Sequence, residues 1–456
     1  MTAKLPLAGV RIVELGQLIA VPFAVKMLAD MGAEVIRIES CGRLDNYRAN
    51  SFYDNDSSGD YWNRAVNFYD QNRNKLSLTL DMTKPEAQKT LRDLIAVSDV
   101  FAENFTPRVV RNFGLEYEDL RAIRPDIIMV SSTGYGYSGP WSNFGAIGYG
   151  TEAASGLAHT TGYEGGPPML PEIPYADYTA AEHTVFAVAA ALAVRARTGQ
   201  GQFIDVSQTQ TMSAVSPEVL MDFAVNGRKI ERLGNQARAL APQGCYPCSG
   251  NDRWIAISAQ TDAHWQSLCE TLGDPEWTRD ERFGDSQSRW ANRDDLDGLI
   301  GQETARWEHR ELERDLQSKR VPAGAVLDGK ELLFDAHLAE RGYYEVVEHE
   351  PSTGMPPLPY TTRPWVFSET PGSIRRAAPL LGEHNRWTLA EVLGRTESQI
   401  AELERSGVIG NAPVNHTPVP PITAETQILQ GKAIAHDPDF KEQIRESFGI
   451  EDRPRL

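Results

Sequence analysis

Short apolar strands alternate with helical segments along the first 135 residues of this chain. Strand-like runs lie at 10–15, 33–39, 75–82, 99–105 and 126–136, and helical segments lie at 23–32 and 85–98. Parallel strands need a crossover connection between them, and a helix usually supplies it. The alternation therefore predicts an α/β fold with a Rossmann-like, doubly wound parallel sheet. Ligands of such sheets bind beyond the carboxyl ends of the strands.

The character of the sequence changes along the chain and predicts several domains. We expect a large Rossmann-like domain over residues 1–210, completed by residues 367–410. A linker at 211–232 leads to a smaller α/β domain at 233–330, where "GCYPCSGNDRWIAIS" is typical of a β-hairpin. Residues 331–366 are interpreted as an extended return linker. Residues 411–456 form a Pro-rich C-terminal arm with one short helix near 438–447.

The charge balance and the apolar runs exclude several classes of partner. Asp and Glu number 63 against 45 Lys and Arg, and the net charge is −18 at pH 7. This balance argues against binding to nucleic acids and to anionic membrane surfaces. The longest apolar run, 185–194, is far shorter than the roughly 20 residues of a membrane span. The first 30 residues are interrupted by charges and do not resemble a signal peptide, so we expect a cytoplasmic protein.

The four cysteines predict a reducing compartment and no metal site. Cys245 and Cys248 have C-x-x-C spacing, but a zinc site would require a second pair or nearby histidines. We therefore interpret these two cysteines as structural.

Basic side chains cluster near the carboxyl ends of the predicted strands. The first strand is followed by "GQLIAVPFA", which lacks the G-x-G-x-x-G fingerprint of NAD-binding domains. Phosphate contacts would then have to come from side chains, and Arg37, Arg73, Lys75, Arg108 and Arg111 are the candidates. The alternative is that they are solvated surface charges. The loop "TGYGYSGPW" (133–141) follows another strand and is either a close approach to a ligand or a tight turn.

One carboxylate, Asp177, stands at the start of a long apolar helix predicted over about 178–197 and closed by Gly199. An aspartate in front of a helix is commonly an N-cap. A helix N-terminus also favours the ionised carboxylate, which can act as a nucleophile toward an activated acyl group. Spacing alone leaves both interpretations open.

Several motifs in a fixed order resemble the family III CoA-transferases, the CaiB–BaiF group, over roughly residues 5–410. They include "LPLAGVRIVELGQLIAVPFAVKMLADMGAEVIRIE", "NRNKLSLTLDM", "DVFAENF", "STGYGYSGPW", "YADYTAAEHTVFAVAAALAVRARTGQGQFIDVS" and "APLLGEHN". The segment "PYADY" is similar to the carnitine-type members. The resemblance places the family's nucleophilic aspartate at Asp177 and implies an interlocked homodimer.

The resemblance also implies a reaction and a set of contacts. CoA would move from an acyl-CoA donor to a carboxylic acid acceptor through an anhydride and an aspartyl-CoA thioester, with the CoA thioester as substrate and no permanently bound cofactor. The expected CoA nucleotide contacts are Arg37, Arg73, Lys75 and Arg111; the expected adenine and pantetheine contacts are Ala20, Asn104, Phe105 and Tyr135; the expected acyl-pocket residues are Ile19, Tyr149, Tyr175 and Tyr178.

Two other functions remain open from the sequence. Racemases of 2-methylacyl-CoA share the fold and add a histidine upstream of the aspartate, and Ala146 stands at that position here. Without this second acid or base, proton transfer across two faces loses a partner. A non-catalytic CoA-binding protein is the other alternative.

The resemblance also disfavours oxalate or formate as the acceptor acid. Family members that use these acids carry a glutamine where Ile19 stands here and a glycine run where residues 235–244 contain none.

Overall fold

The computed structural model describes residues 5–414 and 422–451 of the chain. In this part of the chain, six parallel strands form one sheet in the order β3-β2-β1-β4-β5-β6. The strands are β1 (Arg11–Leu15), β2 (Glu34–Glu39), β3 (Lys75–Thr79), β4 (Val100–Glu103), β5 (Ile128–Thr133) and β6 (Phe203–Ser207). This order is the doubly wound Rossmann order. The predicted fold class is confirmed.

Both faces of the sheet are buried, as its nearly continuous apolar strands require. Val13 pairs in register with Ile36 on one side and with Phe101 on the other. These three side chains belong to one apolar core, while Ile12 and Val100 belong to the core on the opposite face. Successive side chains of each strand point to opposite faces of the sheet and so pack into two separate apolar cores.

Helices cover the two faces and follow the strands in the predicted alternation. Up to residue 226 the chain forms, in order, α1 (Ala20–Asp30), α2 (Val66–Asn72), α3 (Pro85–Ala96), α4 (Pro107–Asn112), α5 (Tyr117–Ile123), α6 (Gly148–Ser155), α7 (Leu157–Thr160), α8 (Tyr175–Thr198), α9 (Gln208–Ala214) and α10 (Pro217–Asn226), of which α7 and most of α10 lie outside the unit that contains the large sheet. Short 3₁₀ turns lie at Asn46–Ala49, Tyr53–Asn55 and Tyr61–Asn63. The predicted stop at Gly199 is confirmed: the residue has φ 71° and ends α8.

The chain separates into two compact units whose bounds differ from the predicted domains. The first unit contains the residues up to Ser155, Pro171–Pro217 and the residues from His337 onward. The second contains Gly156–Leu170 and Glu218–Ala336. Residues 156–170 were expected in the large domain but belong to the second unit, where Gly234 N–H bonds to the Gly162 carbonyl and Arg232 donates to the His159 carbonyl.

The second unit has its own antiparallel sheet, with the strand order β7-β8-β9. Its strands are β7 (Gln243–Pro247), β8 (Trp254–Ser258) and β9 (Ala323–Ala325), and its helices are α11 (Asp262–Thr271), α12 (Ser286–Ala291), α13 (Arg293–Thr304), α14 (His309–Ser318) and α15 (Gly329–Leu333), with 3₁₀ turns at Glu276–Arg279 and Glu281–Phe283. The predicted hairpin is present as the β7–β8 pair. Cys248 lies in the apolar core of this unit, and burial raises the pKa of its thiol to about 11.

The segment predicted as an extended return linker, 331–366, instead contains regular structure. It holds α16 (Ala336–Glu340) and the antiparallel strands β10 (Tyr344–Val347) and β11 (Leu358–Thr361). Four of the Pro and Gly residues that suggested a linker lie in the turn between the two strands, which contains a 3₁₀ turn at Pro351–Thr353; they are Pro351, Gly354, Pro356 and Pro357. The chain continues through α17 (Asn385–Trp387), a π turn (Thr388–Val392) and α18 (Glu397–Arg405).

The C-terminal arm contains two short helices in its described part, where the sequence predicted one. They are α19 (Ala424–Leu429) and α20 (Phe440–Phe448), and residues 415–421 and 452–456 lie outside the described residues. Gln427 donates to Asn55 at 2.9 Å, and Lys441 forms an ion pair with Asp54 at 2.7 Å. The arm thereby packs against the turn between β2 and α2. Across residues 5–414 and 422–451, the helices are too short or too polar to span a bilayer.

Candidate active site

Asp177 lies in the first turn of α8, and the N-cap of this helix is Pro174. The predicted start at residue 178 was therefore three residues late, and the N-cap interpretation of Asp177 is wrong. The reason is that proline lacks an N–H and suits the entry to a helix, so the helix begins directly after it. The Asp177 N–H bonds to the Pro174 carbonyl at 3.1 Å. The carboxylate is then free to face other elements.

The Asp177 carboxylate receives donors from two further elements. The Gln208 amide, at the start of α9, donates to Oδ1 at 3.3 Å. The backbone N–H of Ala20, the first residue of α1, also lowers the pKa of the carboxylate, which places the start of that helix beside Asp177. No side chain caps the start of α1 at Ile19, so the first amides of that helix remain available to another acceptor. The N-termini of α1 and α8 thus meet at one carboxylate, and both favour negative charge there.

Burial and a second carboxylate act against these donors. The pKa of Asp177 is raised from 3.8 to about 6, chiefly by burial and then by the charge of Glu152, while Ala20 and Gln208 lower it. Asp177 is consequently ionised at neutral pH but less stabilised than a carboxylate in water. A desolvated anion of this kind has the character of a nucleophile.

A glycine gives α6 its close approach to Asp177. A Cβ atom at Gly148 would lie 2.7 Å from Asp177 Oδ2 and 2.5 Å from Pro174 Cβ. Real Cβ contacts are not this short, so any larger residue at this position would displace the first turn of α8. The carboxylate is therefore fixed by sterics as well as by hydrogen bonds.

Tyrosines surround the same turn. Tyr178 packs edge-on against Phe23 of α1 with ring centroids 4.9 Å apart, and burial raises its pKa. Burial raises the pKa of Tyr47 too, and the charges of Tyr178 and Asp177 add to that effect, which places Tyr47 close to the site. Tyr149 donates its hydroxyl to the Glu172 carbonyl at 3.1 Å, and Tyr175 is 48% exposed. Of the expected pocket tyrosines, Tyr178 is the one packed on α1.

The cations predicted to bind the CoA nucleotide are mostly buried in ion pairs. Arg37 is 1% exposed and contacts Glu14 and Asp45 at 2.5 Å each. Lys75 is fully buried and pairs with Glu14 at 2.8 Å, and it donates to the Pro22 carbonyl of α1 at 2.9 Å. Burial lowers the pKa of Lys75 to about 7. These charges are neutralised within the protein, so their placement favours a structural role over phosphate binding.

Arg73 holds the other end of α1. It pairs with Asp30, the last residue of that helix, at 2.8 Å. Asn74 and Arg363 also donate to Asp30, and Arg375 donates to the Ala29 carbonyl at 2.7 Å. Cations at a helix C-terminus are stabilising because they meet its partial negative charge. Arg73 thus also has partners that exclude it from a phosphate site.

Asn104 positions the turn between β1 and α1. Its side chain accepts from the Gln17 N–H at 2.9 Å and donates to the Gln17 carbonyl at 2.8 Å. Asp45 accepts from the next amide, that of Leu18, at 3.0 Å. Leu18 has a φ of 60°, a conformation that a leucine adopts only when its surroundings impose it. This turn sets where the Ala20 N–H points.

The remaining predicted contacts lie after β4 and β5. Arg111 of α4 is exposed and pairs with Glu116 at 3.1 Å. Phe105 is partly buried against the core, and the Tyr135 ring packs edge-on against Trp141. These side chains follow the carboxyl ends of neighbouring strands, where the ligand crevice of such a sheet lies.

Sequence reasoning missed Gln208, Glu152 and Gly148. Gln208 follows a strand and begins a helix, which is a usable signal in a doubly wound fold. Glu152 and Gly148 belong to a helix that the motif analysis compared only with the racemase histidine. Their approach to Asp177 depends on the packing of α6 against α8, and the spacing of apolar residues in the sequence does not predict which helices pack together.

Comparisons with known proteins agree on one family. The family model described as CoA-transferase family III matches residues 7–385. Succinyl-CoA–D-citramalate CoA-transferase of Chloroflexus aurantiacus is 33% identical over 89% of this chain and 98% of its own length. Succinate–glutarate CoA-transferase of Agrobacterium fabrum is 34% identical over 85% of this chain and 96% of its own.

A solved structure shows the same fold. The crystal structure of a CaiB/BaiF family protein from Brucella suis superposes with a TM-score of 0.78 at 30% identity, covering 85% of this chain and 100% of that one. The matched residues include β1 to β6 and the helix that carries Asp177. This chain belongs to CoA-transferase family III, the CaiB/BaiF group, and is a CoA-transferase.

Proposed function

We propose that this CoA-transferase works through covalent intermediates on Asp177. The observation that carries the proposal is the position of the carboxylate in the first turn of α8, where the Gln208 amide donates to it and the Ala20 N–H at the start of α1 lowers its pKa. Its raised pKa makes it a stronger nucleophile than an ordinary aspartate, and it is still ionised at neutral pH.

The reaction consists of four balanced transfers. The Asp177 carboxylate attacks the thioester carbon of the donor, which forms a mixed anhydride and expels the CoA thiolate. The thiolate attacks the aspartyl carbon, which gives an aspartyl-CoA thioester and the free donor acid. The acceptor carboxylate then attacks that thioester, and a second anhydride and the thiolate form. Attack of the thiolate on the acceptor's acyl carbon releases the new acyl-CoA and restores Asp177.

The donors at Asp177 suit this chemistry. Each attack on the aspartyl carbon creates negative charge on its oxygen, and fixed amide donors stabilise such oxyanions by several kcal/mol. The Ala20 N–H belongs to a buried helix whose last residue, Asp30, pairs with buried Arg73, so it does not have to reorganise during the reaction. Partial burial of the site also limits hydrolysis of the anhydride.

The CoA contacts that we propose are those that remain after the buried cations are set aside. Arg111 is an exposed candidate for a phosphate group, and Phe105 and Tyr135 are candidates for the adenine and pantetheine portions. All three follow strand ends on the crevice side of the sheet. CoA enters as a substrate rather than as a resident cofactor.

Dicarboxylic acids are the substrate class that we propose. Two relatives that match most of this chain are named for succinyl-CoA with D-citramalate and for succinate with glutarate. Succinyl-CoA is therefore the first donor to test, with C4 to C6 dicarboxylates as acceptors.

We also propose that the protein is a homodimer. Helix α8 presents an apolar surface that includes Phe186, which is 76% exposed.

Mass spectrometry tests the covalent mechanism. After incubation with succinyl-CoA, the peptide 174–197 of the wild-type protein should carry a CoA or acyl adduct. In Asp177→Asn, transfer should fall by roughly 10³-fold or more with CoA still bound. Glu182→Gln changes a charge on the exposed side of the same helix and should leave transfer unchanged.

The mechanism also predicts a pH dependence. Since Asp177 must be ionised, kcat/KM should fall about tenfold for each pH unit below a pH of about 6.

Two outcomes would contradict the mechanism. One is near-normal transfer by Asp177→Asn. The other is product formation in the wild-type protein with no adduct in the 174–197 peptide at any time point. Exchange of the α-hydrogen of a 2-methylacyl-CoA in deuterated water, without an acceptor acid, would instead support the racemase alternative.

A further inference from the structure

Glu152 is a buried carboxylate for which the ordinary packing of the fold gives no explanation. It lies on α6 and is 0% exposed. Within the described residues, neither of its carboxylate oxygens has a hydrogen-bond partner of normal geometry. Buried carboxylates are nearly always paired, because an unpaired one costs stability. Such an exception in a folded chain calls for a functional reason.

Two amides of α8 face this carboxylate. Burial raises the pKa of Glu152 above its ordinary value, and the N–H groups of Tyr175 and Ala176 oppose that rise only in part, because neither approaches with full hydrogen-bond geometry. They are the two helical residues immediately before Asp177. Glu152 therefore lies under the first turn of α8, on the helix that also presses Gly148 against Asp177.

The charged and titratable groups around this turn are few. The charge of Glu152 acts on Asp177, and Tyr47 and Tyr178 also face Asp177. Helix α9, which packs against α6 and α8, contributes the neutral Gln208 and has no charged residue. The hydroxyl of Tyr135 lies near Gly150 of α6. Glu152 is thus the negative side chain that opposes the charge of Asp177.

We propose that Glu152 is a positioning residue that, by charge repulsion, favours the acylated form of Asp177 over its free carboxylate. This role rests on the proposed covalent mechanism. Acylation removes the negative charge of Asp177 and moves it to the departing thiolate. Repulsion from Glu152 disappears in that step, so the loaded enzyme is stabilised relative to the free enzyme.

The test compares the pH dependence of kcat/KM in three variants. In Glu152→Gln the opposing charge is lost, so Asp177 ionises more readily. The acid limb, which is the fall of kcat/KM at low pH, should then move to lower pH by roughly 0.5–1 unit. Glu152→Asp keeps the charge but withdraws it by one methylene, and its limb should lie between those of Glu152→Gln and the wild type. Glu182→Gln removes an exposed charge from α8 and should leave the limb in place.

An acid limb that stays in place in folded Glu152→Gln would overturn the proposal, and so would an equal movement in Glu182→Gln. If Glu152→Gln does not fold, Glu152→Asp decides: an unmoved limb overturns the role and a smaller downward movement supports it. The adduct in the wild-type 174–197 peptide separates the two proposals. Adduct formation with an unmoved limb defeats only the role of Glu152, whereas absence of the adduct defeats the covalent mechanism first.

Discussion

Helices α1 and α8 both direct their N-termini at Asp177, but they are held in different ways. Ten of the eleven residues of α1 are buried; its last residue, Asp30, pairs with buried Arg73, and the Pro22 carbonyl near its start accepts from buried Lys75. Only six of the twenty-four residues of α8 are buried. Asp177 thus lies on a helix with an exposed body, and Ala20 lies on one that cannot move without breaking the core.

This difference assigns separate roles to the two helices. The charge chain Glu14–Arg37–Asp45 supports the Leu18 amide and hence the start of α1. The start of α8 is fixed locally, by the close approach of Gly148 of α6 to Pro174 and Asp177. Substitutions that disturb α1 should therefore lower mainly the free energy of unfolding, and substitutions that disturb the start of α8 should lower mainly kcat/KM.

The largest effect on stability should come from Arg37→Met. The substitution leaves Asp45 without its guanidinium partner and Glu14 with Lys75 alone, in a fully buried cluster. Removing one member of a buried pair typically costs about 3–5 kcal/mol. Chemical denaturation measures the free energy of unfolding. Arg111→Met, at an exposed pair, should change it by less than about 1 kcal/mol. Equal losses in the two variants would remove the distinction between buried and exposed cations.

The next effect concerns the α8 side. Gly148→Ala places a methyl group 2.7 Å from Asp177 Oδ2, so the first turn of α8 must shift. We expect kcat/KM to fall on the order of 10²-fold, since a misplacement of about 1 Å can cost that much. The stability loss should stay near 1–3 kcal/mol. Gly145→Ala is the matched control, because its Cβ would have no atom within 4 Å. Full activity in Gly148→Ala would show that α8 tolerates movement at this point.

The strands and their order could be predicted because apolar runs, helix stops and crossover rules act locally. "VRIVEL" and "AEVIRIE" formed β1 and β2 within one residue of their predicted limits. The hairpin β10–β11 could not, because its Pro-rich sequence is also typical of a linker and only its pairing distinguishes the two. Segment 156–170 was misplaced for a similar reason: its partners lie more than 60 residues away along the chain.

A candidate nucleophile could be named from the sequence, but the residues around it could not. Asp177 was found through a resemblance, whereas the function of a cation depends on what lies opposite to it. Arg37 lies within β2 and Arg111 on the helix after β4; Arg37 faces two buried carboxylates, whereas Arg111 pairs with an exposed one. Partners such as Asp45 come from a loop whose path no local pattern sets.

The smallest effect, and the one that separates function from stability most directly, is that Asp177→Asn should stabilise the protein. Raising the pKa of Asp177 from 3.8 to about 6 means that ionisation opposes folding. This destabilisation is full above a pH of about 6, diminishes as the pH falls, and vanishes below about 3.8, where the carboxyl is protonated in both states. Asparagine never ionises, and its carbonyl can still accept from Ala20 or Gln208. We expect a gain of about 1–3 kcal/mol at pH 8, shrinking toward zero at pH 4, from denaturation curves at both values. A loss at pH 8, or a gain independent of pH, would mean that α1 and α8 stabilise the charge fully and that the nucleophile is an ordinary aspartate.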